Sequence, residues 1–324
     1  MMPIGHSRAC EKRSWCRALG LWAGALLLGA GCARDAIIES VEPSRDARLL
    51  ETPRHVGVGQ GTEVLRAEVE LFGLSLASLE SVRCPASSDG PARIETQVAP
   101  APLVSALRRT SGEARTEFGL ETAAPTRSDY YMRDGSLLRH YLVEHGAGGF
   151  DYAYDNGGAR SRRGRDEVPE GATAHDLHSA MVLLRSWHPR LGESGYFYVV
   201  LGRRLWRVDV TAAGPQVIKA NGFPQLTHRI DGVGVRLWQP SEVEPRRFSL
   251  WLSEDAERVP LRMLADASFG EVTMALTERE VSAAACGAAT ATSASEAAPR
   301  VPSSGVVGRA WTSPALDAGG AGQD

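Results

Sequence analysis

Three runs near the C-terminal end constrain the fold most: "RFSLWLSED" (247–255), "VPLRMLADA" (259–267) and "GEVTMALTERE" (270–280). Each alternates apolar and polar residues with the period of two that belongs to a β-strand. Short polar breaks, "AER" and "SF", separate them, so they predict an antiparallel meander. Its apolar stripes are Phe248, Leu250 and Leu252, then Val259, Leu261 and Met263, then Val272, Met274 and Leu276. A meander with one apolar face must curl onto itself or cover that face with another element.

Upstream runs repeat the pattern. "TEVLRAEVELFG" (62–73) alternates along its length, and "GFDYAYD" and "ARSRRGR" flank a turn at Asn156-Gly157-Gly158. "GYFYVVLG" and "RRLWRVDVT" pair across Gly202, and "GVGVRLW" adds another strand. Acids and glycines interrupt the arginines of "ARSRRGRDEVPEG", which therefore reads as a solvated hairpin and loop.

One segment breaks the period. In "TAHDLHSAMVLLRSWHPRLG" (173–192), Leu177, Ala180, Met181, Leu184, Trp187 and His188 fall on one face at 100° per residue. This predicts an amphipathic helix over about 173–188, stopped by Pro189 and Gly192. Thr173 as N-cap with Asp176 three residues later forms a capping box. His175 and His178 then lie on the wet side as solvated or capping residues. They are not half of a metal site, because no second cluster of ligand spacing accompanies them. His140 and His145, five apart in a strand, point to opposite faces.

The two ends read differently from this core. Residues 1–31 carry basic Arg8, Lys12, Arg13 and Arg17, then an apolar run from Ala18 to Ala30. That run is too short to span a bilayer, which takes about 20 residues, and fits a secretory signal. It ends Leu28-Gly29-Ala30-Gly31-Cys32, which resembles the lipobox of bacterial lipoproteins and marks Cys32 for acylation. By the same resemblance, Ala33 after the cysteine points to the periplasmic face of the outer membrane rather than to the inner membrane. Residues 32–61, with Pro43, Pro53 and "GVGQG", read as a tether. Residues 282–324 are rich in Ala, Gly, Ser and Thr and read as a disordered tail with an isolated Trp311. The intervening 62–281 is one antiparallel β domain.

In an exported chain, Cys84 and Cys286 are the cysteines left to pair. The formal net charge of −3 becomes more acidic once the basic leader is removed, which argues against a nucleic-acid partner.

The order of the later residues resembles the bacterial domain-of-unknown-function family numbered 3108. Asp176, Ser179 and Arg185 match its helix motif. Trp251, Leu252, Ser253, Asp255, Arg258, Pro260 and Arg262, then Gly270, match its later strand motif. The resemblance covers about Glu63 to Leu276. It implies exported or lipid-anchored envelope proteins and a curved antiparallel sheet, a half-barrel or flattened barrel, wrapped around one helix. That outline is similar to periplasmic lipoprotein carriers, and the resemblance brings no activity with it.

These motif positions read as structural. Asp176 suits a cap and Asp255 a turn, no Gly-x-Ser-x-Gly exists, and no cofactor or metal is implied. The expected function is a non-catalytic binding or carrier module for an apolar ligand, anchored to the membrane by its lipid. Met181, Leu184, Trp187, Met263 and Met274 would line the cavity. The alternative is an assembly or scaffold lipoprotein acting through envelope partners.

Overall fold

A computed structural model describes residues 47–54, 61–87, 90–107, 110–157, 161–237, 245–267, 270–283 and 286. Cys32, the leader and Trp311 lie outside the described residues. The described strands and helices fall in the unit Met1–Ala285; of the unit Cys286–Asp324, Cys286 alone is described.

The first half of the fold holds β1 (Arg48–Leu49), β2 (Thr62–Leu71), β3 (Leu74–Cys84), β4 (Arg93–Pro100) and a short α1 (Pro102–Leu107). β5 (Thr110–Phe118), β6 (Pro125–Asp134), β7 (Leu137–Gly146), β8 (Gly149–Asn156) and β9 (Ser161–Glu167) complete it. After β10 (Ala174–His175) comes α2 (Leu177–Ser186). The second half is β11 (Ser194–Leu201), β12 (Arg204–Ala220), β13 (Phe223–Arg236), β14 (Arg246–Ser253), β15 (Pro260–Ala267) and β16 (Gly270–Ser282).

All sixteen strands among the described residues belong to one curved, unclosed sheet. Its order is β1-β11-β12-β13-β14-β15-β16-β2-β3-β4-β5-β6-β7-β8-β9, with β10 also on β11. Two runs of consecutive hairpins, β2–β9 and β11–β16, meet where β16 pairs with β2, Val272 opposite Leu71 and Ser282 opposite Thr62. The outer edge of β11 is covered by two short parallel strands placed end to end. β1 pairs with Gly195–Tyr196 and β10 with Tyr198–Val199, which satisfies backbone groups that an open edge would leave unpaired.

The terminal meander forms as β14, β15 and β16, with Leu250 opposite Met263 and Met263 opposite Met274. Three features differ from the sequence reading. Part of the supposed tether is docked: Leu50 is 6% exposed inside the main core cluster, and the Ala123 N–H donates to the Pro53 carbonyl at 2.7 Å. The β12–β13 hairpin extends far beyond "RRLWRVDVT" and "GVGVRLW", turning at Asn221 and Gly222, both with positive φ. Finally, the helix begins at Leu177 with Asp176 as its N-cap. The reason is long-range: the pairing of Ala174 and His175 with β11 holds them extended, so Thr173 cannot open the helix.

α2 buries residues on two sides. Ala180, Leu183, Leu184 and Trp187 join Phe197, Val199, Trp206, Ile230, Leu250 and Leu252 in the largest core cluster. Val182, on the opposite side, packs with Ala92, Ile94, Phe118 and Ala123 from the first half of the sheet.

Candidate functional site

The side of α2 that the sequence assigns to solvent is a buried polar centre. Asp176 is fully buried and is the N-cap: its Oδ1 accepts from the Ser179 N–H at 2.8 Å and from Ser179 Oγ at 2.7 Å. Ser179 Oγ in turn accepts from the Asp176 N–H at 2.8 Å, closing a capping box one turn later than expected. The other carboxylate oxygen, Oδ2, accepts from Thr116, from Ser128 at 2.7 Å and from Tyr130 at 3.2 Å. Burial alone would raise the carboxyl pKa. Nearby His178 and His145 and these donors outweigh it and hold Asp176 down at about 2.

The strand register explains why the hydroxyls converge. Thr116 lies opposite Ser128 across β5 and β6, and Ser81 opposite Thr96 across β3 and β4. Cross-strand partners share a face, and here that face is turned to the helix N-terminus.

His178 is built into this centre. Its Nδ1 lies 2.8 Å from Thr116 Oγ1 and its Nε2 lies 2.8 Å from Thr96 Oγ1. His175 is 1% exposed, with Nε2 3.4 Å from Thr52 Oγ1 and its ring edge-on to Phe197. His145 Nδ1 donates to the Ala174 carbonyl at 2.8 Å, and its Nε2 is 2.9 Å from Ser128 Oγ. Solvated histidines are therefore the wrong description of His175 and His178, because the sheet supplies partners for the polar side of the helix. Burial depresses all three imidazoles below their ordinary value, His175 to about 4.

A second buried charge centre ties down the far end of α2. Glu63, 1% exposed, accepts from Arg185 Nη1 at 2.8 Å and Nη2 at 3.2 Å, from Arg279 Nε at 3.0 Å and from Arg83 Nε at 3.3 Å. Its pKa falls to about 2, because the three guanidiniums, Arg185 foremost, outweigh the opposing effect of burial. Arg185 Nε also donates to the Glu257 carbonyl at 3.0 Å, so one side chain links α2, β2 and the turn after β14.

That turn is locked internally. Asp255 Oδ1 accepts from Ser253 Oγ at 2.9 Å and from the N–H groups of Glu257 and Arg258, both at 3.0 Å. Ser253 Oγ accepts from the Val259 N–H at 2.7 Å.

Chemically, the polar centre resembles hydrolytic machinery only in composition. Ser128, His145 and Asp176 are adjacent, but Asp176 bonds the serine rather than orienting the imidazole, and Ser128 is 0% exposed. Among the described residues no three His, Cys, Asp or Glu side chains group to hold a metal ion. Cys84 and Cys286 are each disulfide-bonded.

The five residues expected to line a cavity occupy two packed clusters. Met181, Leu184, Trp187 and Met263 belong to the core under α2, whereas Met274 packs with Val69, Ala77 and Val98. Two cavities among the described residues are lined by other side chains. A cavity of about 590 Å³ lies against β11–β16, where Val233, Val235 and Leu264 sit among Asp209, Arg229, Asp231, Arg247, Ser249, Asp266 and Glu271; Val210 and Phe248, which also border it, pack in the core under α2. A second, of about 230 Å³, lies between the segment after α2 and the bulge of β12.

A family model described as "Protein of unknown function (DUF3108)" matches residues 89–277, more than half of the chain. The chain belongs to the DUF3108 family. In this DUF3108 protein the helix motif is a cap and an anchor: Asp176 and Ser179 form the capping box, and Arg185 grips Glu63. In the strand motif Trp251 Nε1 donates to Gln216 Oε1 at 2.8 Å, Arg262 lies over the Trp251 ring, and Pro260 opens β15 opposite Leu252. Glu63 lies outside the matched span of the DUF3108 model, although it holds Arg185.

No curated protein matches. Three solved structures are similar to this DUF3108 chain. One is a β-barrel-like protein of the domain of unknown function DUF1849 from Brucella abortus, at 9% identity, covering 70% of this chain and 100% of that one, with a TM-score of 0.46. A protein from Bacteroides fragilis described as exported, with a YmcC-like fold, has 6% identity, coverage of 71% and 100%, and a TM-score of 0.29. A protein from Parabacteroides distasonis described as a lipoprotein has 7% identity, coverage of 73% and 100%, and a TM-score of 0.28.

Proposed function

We propose that this DUF3108 protein is a non-catalytic binding module of the cell envelope, anchored by an acylated Cys32 to the periplasmic face of the outer membrane, its sheet wrapped around α2. The observation that carries the binding reading is the 590 Å³ cavity against β11–β16. Its volume falls in the range of small-molecule sites, and its walls set a few aliphatic side chains among charged and hydroxyl groups. An amphiphilic ligand of the membrane it sits on, with a polar head and an apolar portion, fits that chemistry. The core under α2, where the sequence alone would place the ligand, is filled by Trp187, Leu183, Leu184 and their partners.

The test is mass spectrometry of small molecules that co-purify with the mature protein, repeated on Val233→Arg, which puts a charge into the cavity wall. Lipid above background that is lost in the variant supports the reading. Absence of any such molecule, or retention by Val233→Arg, overturns it.

A scaffold role is the second reading, favoured by the β12–β13 hairpin. Val217 and Leu226 lie opposite each other there at 62% and 43% exposure, and Phe223 at the tip is 71% exposed. A photo-crosslinking residue in place of Phe223 that captures one envelope protein would favour this second role.

A further inference from the structure

Of the motif guanidiniums, Arg185 meets Glu63 and Arg262 lies over the Trp251 ring, whereas Arg258 has no such contact among the described residues. Arg258 is 4% exposed, and neither its Nε nor its Nη2 has a hydrogen-bond partner. A guanidinium stays charged throughout the physiological range, and a buried charge without a counter-charge is costly. Its backbone is also unusual: φ is +47°, a left-handed conformation that a residue with a Cβ adopts at a cost. The Ser253–Asp255 bonds described above hold it there, since Asp255 binds the Arg258 N–H directly. The turn therefore spends its internal hydrogen bonds on placing an unpaired cation.

That cation lines the 230 Å³ cavity. The opposite walls are His188 and Leu191 after α2, Gly214 and Pro215 in the β12 bulge, and His228 and Arg229 on β13. No carboxylate is among the lining residues. The other guanidinium, Arg229, is already matched, bonding Asp231 at 2.8 Å and lying over the Trp251 ring. Arg258 is left as the uncompensated charge, with two imidazoles beside it: His188 spends its Nδ1–H on the Ser186 carbonyl at 2.8 Å, which leaves His228 as the ring able to donate an N–H. A planar guanidinium fork with a flanking donor is the chemistry that recognises tetrahedral and planar oxyanions.

We infer that this cavity is a binding site for one phosphate-type oxyanion, with Arg258 as its charged ligand and His228 as a flanking donor. The volume is ample for a single phosphate or the phosphate head of a larger molecule. This site is separate from the one proposed for the amphiphilic ligand, and either can fail alone.

The experiment uses the purified full-length protein with its arginines labelled with ¹⁵N, at fixed ionic strength so that screening does not mimic binding. Inorganic phosphate and dihexanoyl phosphatidic acid, below its micelle concentration, are titrated separately, with dihexanoyl phosphatidylcholine as the control. The expected result is saturable binding that moves the Arg258 Nε–H resonance and weakens at least tenfold in Arg258→Met. An exposed control, Arg165→Gln, binds as the wild type does. Comparable affinity for both anions identifies a free oxyanion as the ligand. Phosphatidic acid binding at least tenfold more tightly identifies a lipid head. If neither anion saturates, or if the Arg258 resonance stays fixed while the protein binds, the proposal is wrong. The resonance reads the site in the unaltered protein, so the outcome does not depend on Arg258→Met folding.

Discussion

The two sides of α2 are buried to similar depth by opposite means. Toward β11–β14 the helix presents Ala180, Leu183, Leu184 and Trp187 to Phe197, Trp206, Ile230 and Leu250, and burial itself stabilises the contact. Toward β2–β6 it presents Asp176, His178 and Arg185, whose burial is tolerable only because each meets a partner of matching chemistry. The apolar side can absorb a change of shape at graded cost. The polar side depends on every donor finding an acceptor, so a small chemical change there has a large effect.

The largest expected effect separates a cap from a hub. At an ordinary N-cap, asparagine replaces aspartate almost without loss. At Asp176 the Oδ2 position accepts from Thr116, Ser128 and Tyr130, and an amide NH₂ placed there offers protons to groups that already donate. Asp176→Asn should cost about 3–5 kcal/mol in urea denaturation, as for breaking a buried charged network. That rivals the roughly 2–5 kcal/mol expected for Leu183→Ala on the apolar side, although the first change removes no volume. A loss under about 1 kcal/mol for Asp176→Asn would reduce the site to a simple cap.

Much of the apolar side is legible in the chain. The 3.6-residue period of Leu177, Ala180, Met181, Leu184 and Trp187 and the two-residue period of the last three strands point to their own burial. The polar side is not, because its pattern is set by register between strands far apart in sequence. Thr116 meets Ser128 only through the β5–β6 pairing, and both meet Asp176 from 60 and 48 residues away. One signal was available: Thr110, Gly112, Ala114, Thr116 and Phe118 alternate on the buried face of β5, which places a hydroxyl among inward residues. The helix start failed for the same long-range reason, since nothing local shows that Ala174 and His175 pair with β11. By contrast, Asn221-Gly222 is a local hairpin signal, and it marks the long β12–β13 extension in plain sequence.

The next largest effect is the response to acid, which also divides the two sides. His175 has a folded pKa of about 4 against an ordinary 6.5, so its neutral form is favoured by folding. Its contribution is fully present above pH 6.5 and is lost as pH falls toward 4, by roughly 3 kcal/mol for a shift of this size. His145 and His178 are shifted in the same direction and add to that slope. Asp176 and Glu63, both held at about 2, lose their contribution in a lower window, as pH falls from about 4 to 2. Stability measured against pH should therefore fall in two stages. His175→Phe, whose ring can still meet Phe197, should flatten the upper stage and leave the lower one in place. An unchanged upper slope in that variant would show that His175 is not titrating as its burial requires.

The smallest effect tests how far the network extends from Asp176. Thr96 is 6% exposed, and its Oγ1 lies between His178 Nε2 at 2.8 Å and Ser81 Oγ at 3.0 Å. Thr96 gives its one proton to Ser81, so at the Thr96 contact the hydroxyl oxygen accepts and His178 Nε2–H donates. Thr96→Val keeps the shape and removes that acceptor, stranding a buried N–H at about 1–2 kcal/mol. The ¹⁵N shifts of the His178 ring give an independent reading: Nε2 stays protonated and moves toward the value of an N–H without an acceptor. A variant that keeps wild-type stability and an unmoved Nε2 would confine the network to the donors that touch Asp176 itself.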